Sequence, residues 1–185
     1  VRPDSYYNLT IDGDGTHQIE SSSINVLGNL VVNQTGTTVF DVRQYSATVT
    51  GTTDIDGTIQ ISTGTFTANG DSDIDGTMTI NGSGIYDAKN FDATGATVQF
   101  TGSGGTLKLG GATVSSIGNT FTAGTGTVEY DYEGNQNVKS RTYYNLEIDG
   151  SGSKSTQGDI TINNNLTISA ATLDIGTGDD NLNIG

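Results

Sequence analysis

The one stretch of this chain with the spacing of a metal loop is Asp71-x-Asp73-x-Asp75-Gly76. Alternate carboxylates followed by glycine open the loops that wrap a hard cation such as calcium. The twelfth position, however, is Gly82 where such loops carry a bidentate glutamate, and the flanks alternate like strands. A sister segment nineteen residues earlier keeps Asp54 and Asp56 but has Thr52 in first place. Two readings stand: Ca2+ held by Asp71, Asp73 and Asp75, or solvated turn carboxylates repeated along the chain. The sister copy favours the second. Asp12-Gly13-Asp14-Gly15 is a weaker candidate, because its later counterpart reads Asp149-Gly150-Ser151-Gly152, and Asp179-Asp180 reads as a solvated turn.

Other chemistry is sparse. His17 is the sole histidine, so any histidine-based triad or metal site has only this residue to use. Its counterpart in the later copy is Lys154, which reads as an exposed, variable position. No Gly-x-Ser-x-Gly elbow, phosphate-binding loop or His-Glu-x-x-His pattern is present. Acids abound, yet nothing singles out the pair that glycoside hydrolysis needs, and aromatics to line a sugar cleft are few. The reading is a non-enzyme with no catalytic residues. Threonine pairs recur at Thr48 and Thr50, Thr65 and Thr67, Thr77 and Thr79, and Thr120 and Thr122. Stacked on a flat face they would order water as an ice-binding surface does, but their spacings of 17, 12 and 43 residues do not give one pair per coil. Tyr6-Tyr7 and Tyr143-Tyr144 are expected to place one ring inside and one outside, since neighbours on a strand face opposite ways. Four glycosylation sequons, at Asn8, Asn33, Asn81 and Asn165, are what chance predicts among sixteen asparagines.

Charge narrows the partners. The net charge is −14, with only seven Lys and Arg, and these are dispersed. A nucleic-acid binder needs a basic stripe to displace phosphate counterions, so nucleic acid is excluded, and anionic membrane surfaces with it. Without cysteine there is no disulfide framework or thiolate metal site. No apolar stretch approaches a membrane span.

The elements that must position these residues announce themselves by repetition. Tyr6-Tyr7-Asn8-Leu9 returns as Tyr143-Tyr144-Asn145-Leu146, and Ile11-Asp12-Gly13 as Ile148-Asp149-Gly150; after a one-residue slip, Asn29-Leu30 meets Asn165-Leu166. Residues 1–137 read as one unit of a continuous array and 138–185 as the opening third of a second. Within the unit, a shorter template alternates apolar residues about a small one. Ile24, Val26, Gly28, Leu30 and Val32 fill it, as do Ile160, Ile162, Asn164, Leu166 and Ile168. Partial copies follow at Ile55, Gly57, Ile59 and Ile61, and at Ile74, Gly76, Met78 and Ile80. Period-two alternation puts these apolar side chains on the core face of strands. A period of about 19 with glycine-rich corners and no helical pattern predicts an all-β, right-handed parallel β-solenoid. The alternative is an antiparallel β-sandwich, whose turns have similar spacing.

Gly126-Thr127-Val128-Glu129-Tyr130, Gly134-Asn135-Gln136, Thr142-Tyr143-Tyr144-Asn145-Leu146 and Asn165-Leu166-Thr167-Ile168 together resemble repeats of very large secreted prokaryotic surface proteins of the adhesin-like and filamentous-haemagglutinin-like kind. The resemblance covers 126–185 and 5–34. It implies an extracellular, cell-surface β-solenoid with a structural or adhesive role, and it carries no catalytic residue. The expected function is thus a non-catalytic structural or adhesive module of a surface protein or filament; the alternative is a solenoid that binds carbohydrate or ice on one face. Expected partners are other copies meeting end to end, neighbouring repeats, and surface glycans.

Overall fold

The computed structural model describes residues 1–2, 4–176 and 180–185, and every regular element among them is a β-strand. The chain winds as a parallel β-solenoid of about nine coils, each of about 20 residues. The first coil holds β1 (Ser5–Tyr6), β2 (Leu9–Ile11) and β3 (Gly15–Gln18). The second holds β4 (Ile24–Val26), β5 (Leu30–Val32) and β6 (Thr38–Arg43); the third, β7 (Ser46–Val49), β8 (Thr53–Ile55) and β9 (Thr58–Ile61). In the next two coils one long strand covers two faces: β10 (Thr65–Ile74) precedes β11 (Thr77–Asn81), and β12 (Ile85–Asp92) precedes β13 (Thr97–Thr101). Three separate strands return as β14 (Thr106–Leu109), β15 (Val114–Ser116) and β16 (Thr120–Thr122). The winding continues through β17 (Thr127–Tyr130), β18 (Gln136–Lys139), β19 (Thr142–Ile148), β20 (Ser153–Gln157), β21 (Ile160–Ile168), β22 (Thr172–Asp174) and β23 (Leu182–Ile184). Here β19 and β21 are the strands that turn a corner.

All strand pairing is parallel between successive coils, which excludes the antiparallel sandwich. One ladder runs β1-β4-β7-β10-β12-β14-β17-β19-β21 along a first face. On a second face β2, β5 and β8 lead into the far halves of β10 and β12, then to β15. A third face is the six-stranded sheet β3-β6-β9-β11-β13-β16. Each coil buries its apolar side chains against the coils above and below, which is why no coil is stable alone.

The alternating residues face one core. Ile24, Val26, Leu30, Val32, Ile55, Ile59, Ile61, Ile74, Met78, Ile80, Ile160 and Ile162 are all buried. Two of the expected core residues differ. Leu166 is only partly buried and Ile168 is 48% exposed. The reason is pairing: β23 covers β21 from Ile160 to Ile162, and the ladder does not reach Asn165–Ile168. Aromatic rings fill the middle coils, with Phe66 stacked on Tyr86 at 4.9 Å and Phe91 edge-on to Tyr86 at 5.8 Å. Corners are tight enough to need glycine: a Cβ on Gly76 would sit 1.9 Å from the Gly57 carbonyl oxygen of the coil below.

The stack has a seam. The six-stranded sheet ends at β16 and a three-stranded sheet, β18-β20-β22, begins one coil later. Side chains close the gap. Gln136 Nε2 donates to the carbonyls of Leu109 (2.8 Å) and Gly111 (2.7 Å), and Arg141 donates to the Gly118 carbonyl at 2.7 Å. The rings of Phe121 and Tyr143 meet edge-on at 6.0 Å.

Candidate functional site

Ladder register decides where the carboxylates lie. Because β8, β10 and β12 pair in line, Asp54, Asp73 and Asp92 form a column on the outer surface of the second face. Neighbouring strands are about 4.8 Å apart, so like charges stand close. Partial burial, and then the charges of Asp56 and Asp75, hold the Asp54 carboxyl above its ordinary value. Asp73 is raised in the same way, by burial first and then by Asp75, Asp92, Asp54 and Asp56. Asp71 lies two residues before Asp73 on the same strand and accepts a hydrogen bond from Asn90 Nδ2 at 2.9 Å. Asp71, Asp73, Asn90 and Asp92 line an open depression of about 310 Å³.

The calcium expectation meets this geometry directly. Asp71 and Asp73 are alternate residues of extended β10, roughly 6.8 Å apart along the strand, and Asp75 lies past its end. A calcium loop curls its carboxylates inward, whereas a strand spreads them. Among the described residues no group of three or more His, Cys, Asp or Glu side chains is placed to hold a metal ion.

Other acids serve the backbone. Asp12 accepts from the Thr35 hydroxyl and, at 2.8 Å, from the Gly13 amide; these bonds lower its pKa. Asp14 accepts from the Thr37 amide at 2.8 Å. Asp180, read from sequence as a solvated turn residue, instead accepts from the Gly158 amide (3.1 Å) and the Thr156 hydroxyl (3.2 Å); Asp179 lies outside the described residues. Asn8 Oδ1 takes the Asn29 amide and Asn29 Oδ1 takes the Thr52 amide, so the sequon asparagine at position 8 belongs to a corner ladder.

The cations hold the largest correction. Lys154, expected to be exposed, is fully buried in β20. Its Nζ donates to three backbone carbonyls: Tyr132 at 2.6 Å, Gly134 at 2.8 Å and Ser151 at 2.7 Å. The apolar stem fills the core while the ammonium caps corner carbonyls of its own coil and the one below. Burial pulls its pKa below the ordinary lysine value, against the opposing charges of Asp131, Glu133 and Asp149. Its partner in register is Gln136, so the two form an internal polar rung. The counterpart His17 is half-buried, with Nε2 3.2 Å from the Gly13 carbonyl. On the outer surface Lys108 pairs with Glu129 and Asp131, each at 2.6 Å. Burial works against the Lys108 charge, but those two bonds outweigh it and raise its pKa.

The tyrosine pairs behave as expected: Tyr143 is buried and Tyr144 half-buried, while Tyr6 packs on the core and Tyr7 is 77% exposed. The threonine pairs do not stack one per coil, in keeping with their uneven spacing. The named pairs divide between two faces, with Thr65 and Thr67 on β10 and Thr77, Thr79, Thr120 and Thr122 on the third face. A different set lines up there, for Thr58, Thr77, Thr97 and Thr120 pair in turn through β9, β11, β13 and β16. Beside them runs Gln60, Thr79, Gln99 and Thr122, with Gln99 Nε2 bonded to Thr79 Oγ1 at 2.9 Å. The signal was a single small-residue-Thr step once per coil, as in Gly57-Thr58, Gly76-Thr77 and Ala96-Thr97, rather than a Thr pair.

The molecule is therefore a β-solenoid with a packed interior and three chemically different faces: mixed, acidic, and a third that is neutral Thr/Gln from β9 to β16. Comparison with family models, with curated proteins and with solved structures gives no match.

Proposed function

We propose that the chain is a non-catalytic structural module of an extracellular surface protein or filament, whose task is to be long, stiff and exposed. The observation that supports it is the parallel ladder that runs from β1 to β21 along one face without interruption. Such a ladder transmits load through backbone hydrogen bonds, and the rod lengthens by adding coils. Strand edges at the rod's ends offer backbone groups for pairing, so copies associate end to end, while the scattered acidic surface resists lateral clumping. Solution scattering at rising concentration should show elongated monomers and linear chains. A compact particle, or turnover of a polysaccharide, would overturn the reading.

A second reading has its own observation. The column Thr58, Thr77, Thr97 and Thr120 with its neighbouring Gln/Thr column makes a periodic, nearly uncharged surface on an otherwise acidic protein. That surface suits a neutral, regular partner such as ice or a polysaccharide. Thermal-hysteresis and polysaccharide pull-down assays of the parent and of Thr77→Lys decide it; equal behaviour of the two removes this reading.

A further inference from the structure

The sequence repeat and the coil are not commensurate. Leu9 of the first copy lies in the ladder Leu9, Leu30, Thr53, Ser72, Phe91, Val114, on the second face. Its counterpart Leu146 lies in the ladder Leu146, Val128, Leu107, Tyr86, Phe66, Ala47, Ile24, on the first face. Ile11 and Ile148 are divided in the same way. The Tyr-Tyr-Asn-Leu segment thus turns the corner from first to second face in one copy, between β1 and β2. In the other copy it turns the preceding corner, within β19, where the register shifts between Tyr143 and Asn145.

We propose that the 137-residue unit is a screw element: it advances the winding by one face less than seven coils. What the unit encodes is a sequence of corners and core-facing residues, not a particular face. At both corners a glycine of the adjoining coil bonds to the segment, Gly28 of the coil above to the Tyr7 carbonyl and Gly126 of the coil below to the Asn145 amide. Successive copies carry equivalent outward residues, such as Thr10 and Glu147 or Tyr7 and Tyr144, to different sides of the rod. The geometry does not depend on the adhesive reading, but one consequence does. If a surface residue of the unit binds a partner, two copies in one rod face different directions. Such a rod then bridges separate partners instead of lying flat along one.

Backbone nuclear Overhauser contacts in the unmodified chain test the geometry. The ladder descending from Leu146 should end at Ile24, with Leu9 paired only to Leu30; a ladder that continues from Ile24 to Leu9 would overturn it. Spin labels give an independent reading, with references at Thr67 on the first face and Asp73 on the second. Four ladder steps separate Glu147 from Thr67, about 19 Å, and three separate Thr10 from Asp73, about 14 Å. A label at 147 should lie nearer 67 than 73, and a label at 10 nearer 73 than 67. Labels at 10 and 147 that both lie nearer the same reference would refute the screw, whatever the rod binds.

Discussion

Replacing Lys154 with methionine keeps the stem and removes the ammonium, which isolates the contribution of a buried cation to the stack. Three carbonyls lose their donor. The Tyr132 oxygen still accepts from the Gly134 amide at 2.8 Å and the Ser151 amide at 3.3 Å, so the loss falls mainly on Gly134 and Ser151. A buried acceptor left without a partner costs about 1–2 kcal/mol, and two of them give about 2–4 kcal/mol. The methionine stem packs where the lysine stem did, so little cavity cost is added. The assay is the urea midpoint, read alongside amide hydrogen exchange. Because each coil contacts only its neighbours, damage should be local. Protection should fall in β18, β20 and β22 and hold in β9, β11 and β13. A Lys154→Met protein with an unchanged midpoint and unchanged exchange in β20 would refute the argument that the ammonium holds those corners.

Four further outcomes follow from the same structure. Asp73→Asn should raise stability at neutral pH by well under about 1 kcal/mol, given solvent screening. Since the folded carboxyl is raised above 3.8, its stabilising contribution is present below 3.8 and is lost as pH climbs through the folded value, so the variant's advantage should vanish in acid urea melts. Calcium at millimolar levels should raise the melting temperature no more than magnesium does; a calcium-specific rise abolished by Asp73→Ala would instead assign Asp71, Asp73 and Asp75 as ligands. Gly76→Ala should cost roughly 3 kcal/mol, because its Cβ meets backbone oxygen rather than a side chain that can move, and a midpoint within error of the parent would contradict the corner packing. Gln136→Leu should raise exchange at Gly111 and in β18 before the rest of the rod, since it removes both bonds that join β18 to the coil beneath.

What the sequence disclosed was whatever a single coil decides alone. Ile55, Ile59, Ile74 and Met78 had to face inward because alternation about a small residue leaves the chain one apolar side, whichever coil lies above. What it hid was decided between coils. Lys154 reads as surface because charge ordinarily seeks water, and the carbonyls of Tyr132 and Gly134 that receive it exist as a cradle only once the coil below is in place. Ile168 reads as core, yet its burial depends on a strand that the ladder does not supply. The threonine column escaped for a related reason: register between strands about 20 residues apart is set by corner lengths, and these vary from coil to coil.

That division also explains how acidic residues can accumulate on one face. Core residues are chosen by alternation and corners by space, so the outward position of each strand is the least constrained by folding. Asp54, Asp73 and Asp92 stand in line at some cost in repulsion, which the raised pKa values of Asp54 and Asp73 register. Lys108 on the first face has Glu129 and Asp131 beside it and is offset by pairing. A fold that needed every residue for its own stability would discard a column of like-charged carboxylates. A solenoid whose first-face ladder runs unbroken through its coils tolerates it, because the strands that carry Asp54, Asp73 and Asp92 are each held by parallel pairing on both sides. The outward positions are thereby free to carry whatever surface the protein presents, and the screw advance of the repeat sets which side of the rod each copy presents it on.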